Sequence, residues 1–225
     1  MTSGASIVHV VDDDASFRSA MGELLSVCGY KVLLYETAKR LLEAPLADGP
    51  ACILLDVQMA GVSGPQLQDQ LSSQGCKLPI VFVSAHGDIP TTVRTIKAGA
   101  EDFLTKPVAK EKLLEVIEHA LDRYEATQEQ DKQILALQSL FAQLTPREHE
   151  VFALLVRGKP HKQIAHALGI SDRTVKLHRH QIVQKLGVRS LAELAVIAQR
   201  LGLLPSSRGD VKRSNNNGQK SVQAT

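Results

Sequence analysis

The chain has 225 residues, with 26 Lys+Arg against 24 Asp+Glu, 44% hydrophobic and 22% charged residues, which excludes a fibrous or wholly disordered protein and leaves room for two ordinary domains. Its apolar stretches are too short to span a bilayer, and the opening MTSGASIVHVVDDD lacks the basic n-region of a secretory signal, so a cytoplasmic protein with no membrane partner is expected. Charge is uneven: through Glu125 there are 11 Lys+Arg and 17 Asp+Glu, a balance of −6, whereas from Ala126 onward there are 15 and 7, a balance of +8, the footprint of a second half that meets phosphate backbones.

In chain order, Ile7–Val11, Lys31–Tyr35, Cys52–Asp56, Ile80–Ser84 and Phe103–Thr105 read as short apolar strands. Amphipathic stretches at Ala15–Cys28, Ala38–Ala44, Gly64–Ser73, Pro90–Ala98 and Lys110–Tyr124 read as helices. Five βα units predict an α/β fold with a doubly wound, five-stranded parallel sheet, whose ligands bind beyond the carboxyl ends of the strands. The three cysteines, Cys28, Cys52 and Cys76, are odd in number, widely spaced and flanked by apolar residues, as reduced core thiols are.

The strand ends carry the chemistry. Strand one ends in Asp12, Asp13 and Asp14, strand three in Asp56, strand four in Ser84, and strand five in Thr105, Lys106 and Pro107. Carboxylates gathered at one sheet edge repel one another unless a hard cation neutralises them, and Mg²⁺ takes a few carboxylate oxygens while leaving room for a substrate phosphate. Lys106 supplies a point charge for a phosphoryl oxygen, the Ser84 hydroxyl can donate to the same group, and Asp56 can act as nucleophile by forming an aspartyl phosphate. Each feature alone is a common surface turn; their joint placement at four strand ends is not.

VVDDD, the terminal aspartate of ILLDVQM, VSAHGD after strand four and AGAEDFLTKP around strand five resemble the receiver domain of two-component response regulators over Ile7 to about Tyr124. The resemblance implies that Asp56 accepts phosphate from a sensor histidine kinase. It further implies that Asp12 and Asp13 bind Mg²⁺ with Asp56 and the Gln58 carbonyl, and that Ser84, Phe103 and Lys106 transmit the change. It implies a cis peptide between Lys106 and Pro107, a tuning of phosphate lifetime by Gln58 and His86, and dimer contacts at Val93 and Lys97. Ala60 departs from the family, in which proline usually follows the methionine.

The second half has no strand pattern. Thr145-Pro146-Arg147-Glu148 offers an N-cap, a proline at the first helical position and a capping-box glutamate for a helix to about Val156. Pro160–Leu168 forms a second helix ended by Gly169, Ser171 caps a third reaching Leu186 before Gly187, and Ser190 with Glu193 opens a fourth reaching Leu201. The corner at Gly169-Ile170 has the form of a helix-turn-helix, whose second helix enters the major groove of double-stranded DNA. On a wheel of 100° per residue, Val175, Ile182 and Leu186 face the core, while Arg173, Lys176, Leu177, His180 and Gln184 face outward. Leu177 suits a thymine methyl, Lys176 and His180 suit base edges, and Thr174, His178 and Lys185 share a flank placed for phosphate contacts.

LTPREHEVFALLVRGKPHKQIAHALGISDRTVKLHRHQIVQKLGVRS resembles the LuxR-type helix-turn-helix over about Leu144 to Leu201, and with the receiver it resembles a FixJ/NarL-type regulator. Gln163 stands where many members have glutamate. Such a protein is expected to regulate transcription as a homodimer on phosphorylation, with RNA polymerase as a further partner, and to pair its DNA-binding domains through faces near Leu191, Ala195 and Ala198. The expected boundaries are a receiver at 1–124, a helical linker at 125–140, the DNA-binding domain at 141–204 and a disordered tail at 205–225. The linker shows Leu114, Ile117, Leu121 and Tyr124, then Ile134, Leu137, Phe141 and Leu144, at heptad spacing, interrupted by the polar run Ala126–Gln133. Two other readings stay open: an aspartyl-phosphate phosphatase, weakened because Val57 and Gln58 follow Asp56 with no second acid, and a phosphate-independent DNA-binding protein with a vestigial receiver.

Overall fold

The computed structural model describes residues 6–46, 49–85 and 87–204, and the chain divides into two compact units, 1–129 and 130–225. In the first, β1 (Ile7–Val11), β2 (Lys31–Tyr35), β3 (Ala51–Asp56), β4 (Ile80–Ser84) and β5 (Asp102–Thr105) alternate with α1 (Ala15–Val27), α2 (Ala38–Glu43), α3 (Gly64–Ser73) and α4 (Ile89–Lys97), and α5 (Lys110–Phe141) follows. Among the described residues the strands form one parallel sheet ordered β2-β1-β3-β4-β5. The order reverses between β1 and β3, which opens a crevice at their carboxyl ends.

Successive side chains alternate between the two faces of a strand, and helices cover both faces, so the central strands are mostly apolar on both sides. Val8, Val10, Cys52, Leu54, Val81 and Val83 pack with Leu25 of α1 and Leu113, Ile117 and Leu121 of α5. Val11, Ile53, Leu55 and Phe82 pack on the other side with Leu41, Leu67 and Leu71. His9 is a polar exception within β1. It is fully buried, its ring stacks on Tyr35 at 5.7 Å, its Nδ1 lies 3.1 Å from the Tyr35 hydroxyl, and its Nε2 is buried with no partner. Cys28, Cys52 and Cys76 are free thiols, and burial pushes Cys52 up to about 12.

α5 runs without a break through the expected helical linker, 125–140. The polar run Ala126–Gln133 holds Ala, Gln, Glu and Lys beside Thr127 and Asp131, with neither Gly nor Pro, so local preference carries the helix across it without a buried face. Of the first expected heptad positions Ile117 and Leu121 are buried and Leu114 and Tyr124 half-buried; Leu113, Val116 and Ala120 complete the packed face.

In the second unit, α6 (Pro146–Leu155), α7 (His161–Leu168), α8 (Asp172–Leu186) and α9 (Leu191–Arg200) enclose Leu144, Val151, Phe152, Leu155, Ile164, Val175, Ile182, Leu186, Leu194 and Ile197. Thr145 caps α6 by accepting from Glu148 N, and Glu148 Oε2 accepts from Thr145 N at 2.7 Å, the reciprocal capping box. Gly169 adopts φ 65°, a left-handed conformation a side chain resists, and so turns the chain sharply from α7 into α8. One expectation fails here: Ala198 is fully buried against this core, so the large outward apolar residues of α9 are Leu191 and Val196, with Ala195 half-buried. Among the described residues no helix is long and apolar enough to cross a membrane. The expected tail, 205–225, lies outside the described residues.

Candidate functional site

The three opening aspartates take three different tasks. Asp12 is buried at the β1 end, with Oδ2 2.6 Å from Lys106 Nζ. Asp13 is exposed, and its Oδ2 accepts the Ala60 N–H at 2.9 Å. Asp14 is the N-cap of α1, accepting from Ser16 and Phe17 N, and so is structural. Asp56, 6% exposed at the β3 end, lies 2.9 Å from the same Lys106 ammonium through Oδ1 and accepts the Gln58 N–H at 2.7 Å through Oδ2. Lys106 thus bridges two strand ends from the β5 side, where the Lys106–Pro107 peptide is cis.

Burial pushes the Asp56 carboxyl above its ordinary value, more than the Lys106 hydrogen bond and charge pull it down. Burial opposes charge on Lys106, but hydrogen bonds to Asp12 and Asp56 outweigh it and hold the ammonium charged to higher pH. Ser84 is 1% exposed at the β4 end, paired in register with Thr105, and the half-buried Phe103 ring lies 6.3 Å from Phe82. The structure therefore brings Asp12, Asp56, Lys106 and the Gln58 amide together, with Ser84 and Phe103 on the adjoining strands. His86 lies outside the described residues. Val93 and Lys97 are both exposed on α4, away from this cluster in sequence and on the same helix as exposed Ile89 and Ile96.

The donors suit Mg²⁺ in kind, being hard carboxylate and carbonyl oxygens. Their arrangement is a different matter. Among the described residues no three His, Cys, Asp or Glu side chains are placed to hold one metal ion; the Lys106 ammonium stands between Asp12 and Asp56, and Asp13 Oδ2 accepts the Ala60 N–H.

Several residues at this site carry no motif signal. The Phe17 ring lies 4.0 Å beneath Lys106 Nζ in a cation–π contact, and Arg18 donates to the Asp12 carbonyl at 2.6 Å. Helical periodicity marks Phe17 only as a core-facing residue of α1. Gly64 opens α3, where a Cβ would sit 2.3 Å from the Asp56 carbonyl oxygen, so only glycine lets α3 start this close to the strand end.

In the second unit the outward face of α8 matches expectation: Arg173, Lys176, Leu177, His180 and Gln184 are exposed, Leu177 at 54%. On the flank expected to meet phosphates, Lys185 and Thr174 make contacts within the protein. Lys185 Nζ is 2.6 Å from Oε2 of Glu148, whose side chain is 3% exposed, and so is the counter-ion of a buried carboxylate. Burial raises the Glu148 carboxyl, but the hydrogen bonds from Lys185 and Thr145 hold it below the usual range. His178 is half-buried with its Nδ1 shielded, and the Thr174 hydroxyl lies 2.8 Å from Ser171 Oγ.

Comparison with known proteins agrees with both units. Residues 8–118 match the response regulator receiver domain, and residues 142–198 match the bacterial regulatory proteins of the luxR family. The chain is 38% identical over 197 residues to nodulation protein W of Bradyrhizobium diazoefficiens, covering 88% of this chain and 87% of that protein. It is 42% identical over 201 residues to the transcriptional regulatory protein TdiR of Thauera aromatica, covering 88% of each. The solved structure of the response regulator StyR aligns with a TM-score of 0.75 at 44% identity, covering 88% of this chain and all of that one. With a receiver domain, a LuxR-type helix-turn-helix and regulators such as these matched over most of their length, the chain belongs to the two-component response regulators of the FixJ/NarL type, which control transcription.

Proposed function

We propose that Asp56 is the phosphoacceptor of this regulator and that its phosphorylation by a sensor histidine kinase controls dimerisation and DNA binding. The observation that carries the reading is the Lys106 ammonium, held at 2.6 Å from Asp12 and 2.9 Å from Asp56 at the mouth of the sheet. In this scheme a carboxylate oxygen of Asp56 attacks the phosphorus of the kinase phosphohistidine. The new P–O bond forms as the P–N bond breaks, and the imidazole nitrogen keeps the electron pair and takes a proton. Asp12, Asp13, Asp56 and the Gln58 carbonyl would hold Mg²⁺, which supplies positive charge against the phosphoryl oxygens. Lys106 moves from Asp56 onto a phosphoryl oxygen, Ser84 donates to another, and Phe103 follows Ser84. Gln58 and His86 set how fast water reaches the phosphoryl group.

The receiver at 1–124 and the DNA-binding domain at 141–204 then communicate through the helical segment 125–140. Val93 and Lys97 on α4 supply the dimer contact, and a two-fold DNA site with RNA polymerase nearby completes the assembly. The chain transmits a signal and does not turn over a substrate. Incubation with acetyl phosphate and Mg²⁺, read by intact mass, tests the proposal. A single stable adduct in the wild type and none in Asp56→Asn is expected. An adduct of equal yield in Asp56→Asn would place the acceptor elsewhere, steady phosphate release would favour a phosphatase, and no adduct would mark a vestigial receiver.

A further inference from the structure

A recognition helix is fixed in its groove by phosphate contacts on its flanks, and on the flank carrying Thr174, His178 and Lys185 the lysine and the threonine are engaged within the protein while His178 is half-buried. The opposite flank is built otherwise. Lys176, Arg179, His180 and Val183 stand at i, i+3, i+4 and i+7 and so share one side of α8. Arg189, in the turn after Gly187, joins them around a notch of about 280 Å³ lined by these five residues.

The stem that presents Arg189 is fixed. Its backbone N–H donates to Glu193 Oε2 at 3.0 Å, and Ser190 Oγ donates to Glu193 Oε1 at 3.0 Å, so the neighbouring acid is held in the α9 cap, where its charge also attracts Arg189. Lys176 pairs with Asp172 at 2.9 Å, an exposed contact that a phosphate oxygen can replace. Among the described residues no salt bridge engages the guanidinium of Arg179 or of Arg189. Three permanent cations, with His180 as a further donor, therefore converge on one concavity beside the outward face of the helix.

We propose that this notch seats a backbone phosphodiester of DNA, with Arg179 and Arg189 as its principal ligands, and that Lys185 contacts no phosphate. The proposal rests on the DNA-contact face proposed for α8 and assigns the anchor to the flank opposite the one the sequence pattern favours. Planar guanidinium groups suit paired contacts to phosphate oxygens better than an ammonium does.

The test uses the full chain with Arg179→Gln, Arg189→Gln and Lys185→Gln, each confirmed folded by circular dichroism. Binding isotherms are taken on a cognate and a scrambled duplex at several salt concentrations. Each arginine variant should lower the slope of log affinity against log salt by about one, so that affinity falls about 3.5-fold less steeply between 50 and 200 mM salt, and should weaken both duplexes equally. Lys185→Gln should leave the slope unchanged. Arginine variants with the wild-type slope would overturn the seat while leaving DNA binding standing. A slope lowered by about one in Lys185→Gln alone would return the anchor to the other flank. Wild type that binds neither duplex at any salt would overturn the DNA-contact face and the seat with it.

Discussion

At the scale of single residues, the site depends on small groups that choose between partners. The Ala60 N–H holds Asp13 at 2.9 Å, and a proline in that place has no N–H to give. Ala60→Pro should therefore free Asp13 and tighten Mg²⁺ binding by about threefold to tenfold, on the order of 1 kcal/mol for one exposed hydrogen bond to a carboxylate. A calorimetric Mg²⁺ titration checks this, and equal affinity in the two proteins would show that the Asp13–Ala60 contact does not compete with the ion. His9 gives a pH dependence. Burial lowers its value from the ordinary 6.5, so the folded chain binds fewer protons than the unfolded chain as pH falls. Its contribution is complete above pH 6.5 and is lost progressively below it, by at most about 1.4 kcal/mol per pH unit until the folded value is reached. His9→Leu should flatten the fall of the melting temperature between pH 7 and pH 5. A parallel fall in both proteins would place the acid sensitivity elsewhere.

At the scale of elements, much was legible and for identifiable reasons. The five strands and the caps at Thr145, Ser171 and Ser190 are local features, written in alternation and in side chains that satisfy helix-end N–H groups. Asp12, Asp56 and Lys106 were legible because strand ends converge by topology alone. The burial of Ala198 and the ion pair of Lys185 were not legible, because a helical wheel counts angles and does not know what lies across the helix, here a packed core and a buried carboxylate. Phe17, Gly64 and Ala60 act through tertiary approach, for which a single sequence has no marker. The buried pair itself can be tested. Lys185→Met leaves Glu148 uncompensated and should cost the second unit about 2 kcal/mol, discounted because the lysine is one-third exposed, as read by urea unfolding. Stability equal to wild type would mean that the pair contributes nothing net.

At the scale of the whole molecule, each unit has its own core, since Leu113 to Leu121 of α5 pack on the sheet whereas Leu137 to Phe141 pack with the second set of helices. Phosphate acts across them only if dimer and monomer differ in affinity for it. Sedimentation with and without acetyl phosphate should show a rise in dimer that Val93→Asp abolishes, because a charge placed on this exposed apolar stripe opposes burial against a second copy. A dimer fraction unmoved by phosphodonor in the wild type would break the coupling. The unbroken α5 helix has one more consequence. Its run Ala126–Gln133 contributes no buried side chain to any core, so a crossover there exchanges one half of the gene for that of a relative without cutting through packed residues. A crossover within Leu113–Leu121 would leave a receiver missing one wall. Chimeras joined in the polar run should fold from either parent, which makes this stretch the natural seam for recombining one sensor input with another set of promoters.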